Sequence, residues 1–316
     1  MTPRPLRVLT WHVHGSYLEN LARIPHEFYL PVKDGRPEGY GGRLPGFDWG
    51  PNVRDVPAEE VGRLTLDVIV FQSRRNWEFD QDEILSPAQR RLPRIFLEHD
   101  PPREAPTDTR HFVDQDDVLL VHVTPFNDLM WDSGRTPTRV IDHGVVVPPA
   151  AQWTGELTRG LAVVNCLERR GRRAGADIFL LARRDVPLDL VGMESEQLGG
   201  LGEVPRARLS AFEARYRFLF NPIRYTSLGL AVLEAMALGV PIVGLATTEM
   251  ATAIENGVSG YVDTDLRRLV EFMRDLLRDR SLARQLGEGA RRRVLERFHI
   301  DRFARDWEDA LRLVGG

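Results

Sequence analysis

Apolar residues follow two alternating patterns along the chain. Short runs rich in Val, Ile, Leu and Phe recur in the first half at Leu6–Thr10, Phe28–Val32, Asp67–Phe71, Arg94–Leu97, Val118–Val123 and Arg139–Ile141. The second half carries Leu161–Val164, Leu188–Val191, Phe218–Phe220 and Pro241–Val243. Segments with helical spacing lie between them. Strands alternating with helices predict parallel sheets built from βαβ units, with sites at the carboxyl ends of strands. The pattern breaks around Val147–Gly160, where Pro148, Pro149, Ala150, Ala151 and Gly155 fall together before a new strand. The stretch from Asp265 to Val314 reads as almost all helix, with Leu269, Phe272, Met273, Leu276 and Leu277 on one face. The expected organisation is therefore an N-terminal domain over residues 1–150, a second over 151–298, and a C-terminal helix at 299–316 packing back towards the first.

Composition narrows the classes. A length of 316 residues suits two domains of about 150 each. A net charge of -4 argues against nucleic acid as the main partner, since phosphate-backbone binders need a basic surface. The single cysteine, Cys166, fits a reducing cytoplasm and supplies no thiolate cluster. No apolar stretch precedes His12, so no signal peptide is expected. Leu228–Ala246 is apolar enough to suggest a membrane span, but Glu234, Gly239 and Pro241 interrupt it, and helix, turn and buried strand is the better reading. A soluble cytoplasmic protein is expected. The basic patch Arg291–Arg293 suits a weak peripheral contact with the inner face of an anionic membrane, or simply a solvated helix face.

Between Arg224 and Glu249 the only charged residue is Glu234. A carboxylate in so apolar a helix loses hydration unless something compensates it. An exposed helix face or a structural hydrogen bond would account for it. A functional account is equally open: a helix beginning near Thr226–Ser227, with Gly229 in its first turn, offers free N–H groups and a positive dipole end to a phosphate. Glu234, about two turns further on, is then placed to accept hydrogen bonds from a ribose diol.

The segment Phe220-Asn-Pro-Ile-Arg-Tyr-Thr-Ser-Leu-Gly-Leu-Ala-Val-Leu-Glu-Ala-Met-Ala-Leu-Gly-Val-Pro-Ile-Val243 resembles the donor-site signature of the group 1 (family 4) retaining glycosyltransferases of GT-B fold. That signature has two glutamates eight positions apart with Gly-Leu between them. Glu234 matches the second, whose implied role is to bind ribose hydroxyls. The first falls on Thr226, which can hydrogen-bond to the sugar but brings no charge. Leu190-Val-Gly192, Leu201-Gly-Glu-Val204, Tyr216-Arg-Phe-Leu-Phe-Asn-Pro222 and Ile254-Glu-Asn-Gly-Val-Ser-Gly-Tyr-Val262 continue the similarity, so that roughly Leu161 to Phe298 is covered. The resemblance implies an α/β protein with two Rossmann-like domains facing a cleft. It also implies transfer of a sugar from a nucleotide-sugar donor, with retention and without a metal or other cofactor. Donor contacts are implied for Thr226, Ser227, Leu228, Gly229, Leu230 and Glu234.

Three further segments fit the same resemblance. Asn165-Cys-Leu-Glu-Arg-Arg-Gly-Arg-Arg173 occupies the place of the family's diphosphate-clamping loop. Arg170 is the best match to its lysine, with Arg169 and Arg173 beside it, although a solvated charge run is the ordinary account of such a cluster. After the first strand, Trp11-His-Val-His-Gly-Ser-Tyr17 makes His14 and Gly15 acceptor-side candidates, while His12 reads equally as a core histidine. After Arg94–Leu97, the pair His99–Asp100 resembles the family's His-Asp and supplies the catalytic candidates, the imidazole donating to or exchanging a proton with a sugar hydroxyl. An ordinary turn before Pro101 and Pro102 is the plain alternative.

Arg139-Val-Ile-Asp-His-Gly-Val145 resembles the family's hinge, where Gly144 is expected to adopt an unusual backbone conformation. The tract Gly35–Gly50 reads as an acceptor loop or as irregular structure. Asp114, Asp116 and Asp117, or Asp263 and Asp265, imitate a cation site, but solvated caps explain them better. A polysaccharide, a glycolipid or another acceptor fits these residues. Two rival functions stay open: a nucleotide-sugar epimerase or hydrolase on the same fold, and a non-catalytic nucleotide-sugar or carbohydrate-binding module, which Thr226 favours.

Overall fold

The apolar runs become strands of two parallel sheets, their ends shifted by a few residues. The computed structural model describes residues 4–150 and 152–316. The chain divides into two compact units, one running up to Gly144 and taking in Asp301–Gly316, the other spanning Val145–Ile300.

In the first unit the strands are β1 (Arg7–Thr10), β2 (Glu27–Val32), β3 (Val53–Pro57), β4 (Val68–Phe71), β5 (Arg94–Glu98), β6 (Val118–His122) and β7 (Thr138–Val140). They lie in the order β3-β2-β1-β4-β5-β6-β7. The helices are α1 (Gly15–Leu21), α2 (Gln81–Ile84) and α3 (Pro125–Met130). The middles of the central strands are apolar because both faces are covered. All four residues of β4, Val68-Ile-Val-Phe71, are buried, each contributing about 1.5–3 kcal/mol of burial. Strand β3 had no apolar run to announce it: Arg54 and Asp55 separate Val53 from Val56, as an edge strand permits.

The second unit holds β8 (Leu157–Val163), α4 (Leu167–Ala174), α5 (Ala176–Arg183), β9 (Leu188–Val191), α6 (Arg206–Glu213), β10 (Tyr216–Asn221), α7 (Leu230–Leu238), β11 (Ile242–Leu245), α8 (Met250–Ala253), β12 (Gly260–Asp263), α9 (Leu266–Arg278) and α10 (Arg280–Arg297). Its sheet order is β12-β11-β10-β8-β9, every pairing parallel. Both units are Rossmann-like. The order reverses between β1 and β4 in the first and between β8 and β10 in the second, which is where such sheets open a crevice at their carboxyl edge.

The last helix, α11 (Ile300–Gly315), contributes its buried face to the first unit. Trp307 donates from Nε1 to the Tyr17 hydroxyl at 2.9 Å, and Arg302 donates to the carbonyls of Asp142 and His143 at 2.8 and 2.6 Å. Phe303 explains Gly144. That glycine does not have the positive φ the hinge expectation called for; a Cβ there would instead sit 2.3 Å from Phe303 Cβ. Close approach, rather than an unusual backbone, requires the glycine.

Two surface readings change. Arg291 and Arg293 are not a freely solvated basic patch. Arg291 donates to the carbonyls of Ala237, at 2.6 Å, and of Pro148, while Arg293 donates to that of Thr252 at 3.0 Å. Arg291 thereby places a cation at the carboxyl end of α7, where the helix dipole favours one. Among the acids that imitate a cation site, Asp114 is held by Arg110 and Arg135, Asp117 by Arg94, and Asp265 caps α9. No helix among the described residues is long and apolar enough to cross a membrane.

One ion cluster ties the starts of β1 and β4 together. Asp67, whose side chain is 12% exposed, accepts from Arg7 Nε at 3.0 Å, from Arg4 Nη2 at 2.9 Å and from the Arg7 backbone N–H at 2.8 Å. The hydrogen bond from the Arg7 side chain, then that from Arg4, hold its carboxyl below the usual carboxylate range. A depressed folded-state value means the stabilisation is full above the unfolded value, near 4, and is lost as pH falls towards the folded one. Asp67→Asn is expected to cost about 1–3 kcal/mol at pH 7. The deficit should shrink between pH 5 and pH 3, as read by urea unfolding at each pH.

Candidate functional site

At the carboxyl edge of the second unit's sheet, β8 leads into α4 and β10 into the irregular residues 222–229. The basic segment is not a loop throughout. Arg169, Arg170, Arg172 and Arg173 lie on α4, which breaks at Gly171 (φ 56°, ψ -140°). The carbonyl of Arg173 accepts backbone N–H groups from Arg224 at 3.0 Å and Tyr225 at 3.2 Å. Asp177, on α5, receives Arg172 at 2.7 Å and both ends of the Arg224 guanidinium at 2.5 and 2.8 Å. Arg224, then the charges of Arg224 and Arg172, hold the Asp177 carboxyl below its ordinary value. Gly175 lets the two segments meet: its φ is 84°, and a Cβ would fall 1.9 Å from the Pro222 carbonyl oxygen.

The helix starts later than the sequence suggested. Thr226 and Ser227 have the look of caps but lie in the irregular segment; Gly229 is the N-cap, extended at φ -73° and ψ 134°, and α7 begins at Leu230. Ahead of it, the N–H groups at 224 and 225 are turned to the Arg173 carbonyl. Glu234 therefore sits little more than one turn from the helix start, roughly 6 Å along the axis, rather than two turns. A glycine cap brings no side chain to the first-turn N–H groups, and the space beside Gly229 is open, with no atom within 4 Å of a Cβ built there. Leu228 is buried in the core, so only its backbone can reach a ligand; Leu230 is half-buried against the same core.

The arginines differ in what already holds them. Arg169 is drawn to Glu194 at 3.2 Å and to Cys166 Sγ at 2.8 Å. Arg170 reaches the Asn165 carbonyl at 3.4 Å. Sequence reasoning missed Glu213, at the end of α6: it is buried, its Oε1 has no hydrogen-bond partner among the described residues, and burial, then the charge of Glu234, push its carboxyl well above the usual range. Nothing in the pattern around Glu213 announces a buried acid.

The first unit has its own cavity, of about 660 Å³, at the ends of β1, β4 and β5. His14, Gln72, His99, Asp100 and Trp131 are among its lining residues. The His14 and His99 rings have centroids 4.0 Å apart, and Tyr17 meets His99 edge-on at 5.0 Å. Burial, reinforced by His14 and His143, holds His99 well below its ordinary value, so the ring is neutral at pH 7. Asp100 pairs with Arg103, and its carbonyl accepts from Trp131 Nε1 at 2.8 Å. Glu98 anchors the turn, accepting from the Asp100 N–H at 2.9 Å and from His111 Nε2 at 3.2 Å. His111 must carry its proton there because its Nδ1 accepts from the Val113 N–H at 3.1 Å.

Gly15 is not part of the lining. A Cβ on it would lie 2.2 Å from Phe47, so its bare face admits the aromatic tract. His12 is a core histidine, buried, with Nδ1 donating to the Gly42 carbonyl at 2.6 Å. Gln72, Glu98 and Asp177 were not singled out from sequence. The first two sit at strand ends, which was the available signal.

Comparison with known proteins now has geometry to meet. Residues 172–309 match the family model described as glycosyl transferase-like. Sucrose-phosphate synthase from Thermosynechococcus elongatus has a similar fold at a TM-score of 0.72, with 17% identity over 98% of this chain and 99% of that one. The chain has the fold of the GT-B glycosyltransferases and is similar to the glycosyl transferase-like family over residues 172–309. Anabaena HepE in complex with UDP superposes with a TM-score of 0.69, 14% identical over 98% of this chain and 99% of that one. N-acetyl-alpha-D-glucosaminyl L-malate synthase from Bacillus anthracis is 36% identical over 84 residues, 26% of this chain. That match spans only 22% of the relative's own length.

The two glycines at this candidate site should behave oppositely. Gly175→Ala forces a Cβ onto a backbone oxygen at positive φ and is expected to cost about 2–4 kcal/mol. Gly229→Ala, in extended backbone beside open space, should change stability by less than about 0.5 kcal/mol. Denaturant unfolding of both variants checks the contrast.

Proposed function

We propose that the protein transfers a sugar from a nucleotide-sugar donor to an acceptor hydroxyl. The observation that carries this reading is the start of α7: an uncapped first turn, an open glycine at its N-cap and Glu234 one turn on, with the arginine-bearing α4 tied to the preceding segment. The first-turn N–H groups and Arg170 supply the charge complement a departing diphosphate requires. Glu234 takes the ribose hydroxyls. Thr226, uncharged where the resembling family carries a glutamate, contacts the transferred sugar by hydrogen bonds alone. The UDP held by the Anabaena neighbour makes a uridine nucleotide the first donor to try.

The chemistry we infer is front-face displacement with retention. The acceptor oxygen forms the new bond to the anomeric carbon on the face from which the phosphate oxygen leaves. The acceptor's proton passes to the departing diphosphate. No enzyme nucleophile and no metal enter this scheme, and His99, Asp100 and His14 line the cavity proposed to take the acceptor. A polysaccharide or glycolipid hydroxyl suits that role.

Glu234→Ala should weaken donor binding by about 10- to 100-fold, the worth of a charge-assisted pair of hydrogen bonds. Calorimetric titration with UDP-, GDP- and ADP-sugars measures it, and an unchanged affinity contradicts the assignment. Turnover with any acceptor separates the transferase from a binding module, and release of free sugar or epimer from donor alone identifies a hydrolase or epimerase.

A further inference from the structure

The residue after β4 carries more of the first unit's site than its neighbours in sequence suggest. Gln72 is 4% exposed, and its side-chain amide is fixed from both ends. Nε2 lies 2.8 Å from the Thr10 hydroxyl and 2.8 Å from the Trp11 carbonyl oxygen. A carbonyl oxygen can only accept, so the amide must turn its NH₂ towards β1 and cannot be flipped without losing that bond. Its Oε1 is thereby aimed at Nε2 of His99, 3.2 Å away. An amide oxygen also only accepts, so that ring nitrogen must bear a hydrogen. A neutral imidazole has one N–H, and Nδ1 is left with its lone pair. His99 lines the cavity; its Nδ1 has no hydrogen-bond partner among the described residues and is not one of the fully enclosed polar atoms.

We propose that Gln72 is a positioning residue that fixes His99 as the Nε2–H tautomer, so that Nδ1 accepts a hydrogen bond from a carbohydrate hydroxyl in the cavity. The orientation originates in the backbone just after β1: the Trp11 carbonyl sets the amide, the amide sets the ring, and the ring presents an acceptor rather than a donor. This excludes donation by His99 Nε2 to the sugar, because that hydrogen is already given to Gln72. The effect on substrate rests on the function proposed above, whereas the tautomer does not.

The test is long-range ¹H–¹⁵N correlation spectroscopy of the full chain labelled at histidine, with the His99 signals assigned from a His99→Gln variant. The wild-type spectrum should show His99 protonated at Nε2 and bare at Nδ1. In Gln72→Leu the tautomer ratio should fall about fivefold, as expected for losing one buried hydrogen bond. Protonation of Nδ1 in the wild type overturns the proposal, and so does an unchanged ratio in a folded Gln72→Leu chain. Should that variant fail to fold, Gln72→Met repeats the comparison and the wild-type spectrum stands by itself. If the tautomer is as stated but no sugar nucleotide binds, the transferase reading falls and the positioning role of Gln72 survives.

Discussion

The second unit's candidate site depends on one backbone contact, the Arg173 carbonyl accepting the N–H groups of Arg224 and Tyr225. The chain is thereby tied to α4 just ahead of Thr226. It stays irregular for several residues and enters α7 only after Gly229. The same contact draws the arginine-bearing helix to the segment that ends in the glycine cap. Gly175 makes it sterically possible, and Asp177 locks it by holding Arg172 and Arg224 together.

The first unit solves a related problem by other means. Its chemistry-bearing residues follow the adjacent strands β1, β4 and β5, and here hydrogen bonds to individual side chains fix geometry. Glu98 sits between His111 and the Asp100 backbone, Gln72 between β1 and His99, and each member of these networks has one satisfied role. Burial keeps His99 uncharged, so the ring's direction, rather than its charge, is what the surrounding network controls.

The strand–helix alternation was readable because parallel strands buried on both faces carry apolar runs, as Val68–Phe71 and Phe218–Phe220 do. Strand β3 was not, since an edge strand with Arg54 and Asp55 has no such run. The start of α7 was misplaced because Thr226 and Ser227 carry the local signal of a cap, whereas the N-cap is Gly229. Arg291 and Arg293 looked solvated because their carbonyl partners at 237, 148 and 252 are distant in sequence. His14, His99 and Asp100 could be picked out as strand-end residues. That they share one cavity with Gln72 is tertiary information.

The most direct measurement of the central claim is a crystal structure of the chain grown with UDP. The account predicts the diphosphate oxygens against the first-turn N–H groups of α7, beside Gly229 and within reach of Arg170, with the ribose hydroxyls on Glu234. A diphosphate bound elsewhere, with the space at Gly229 unfilled, would contradict it.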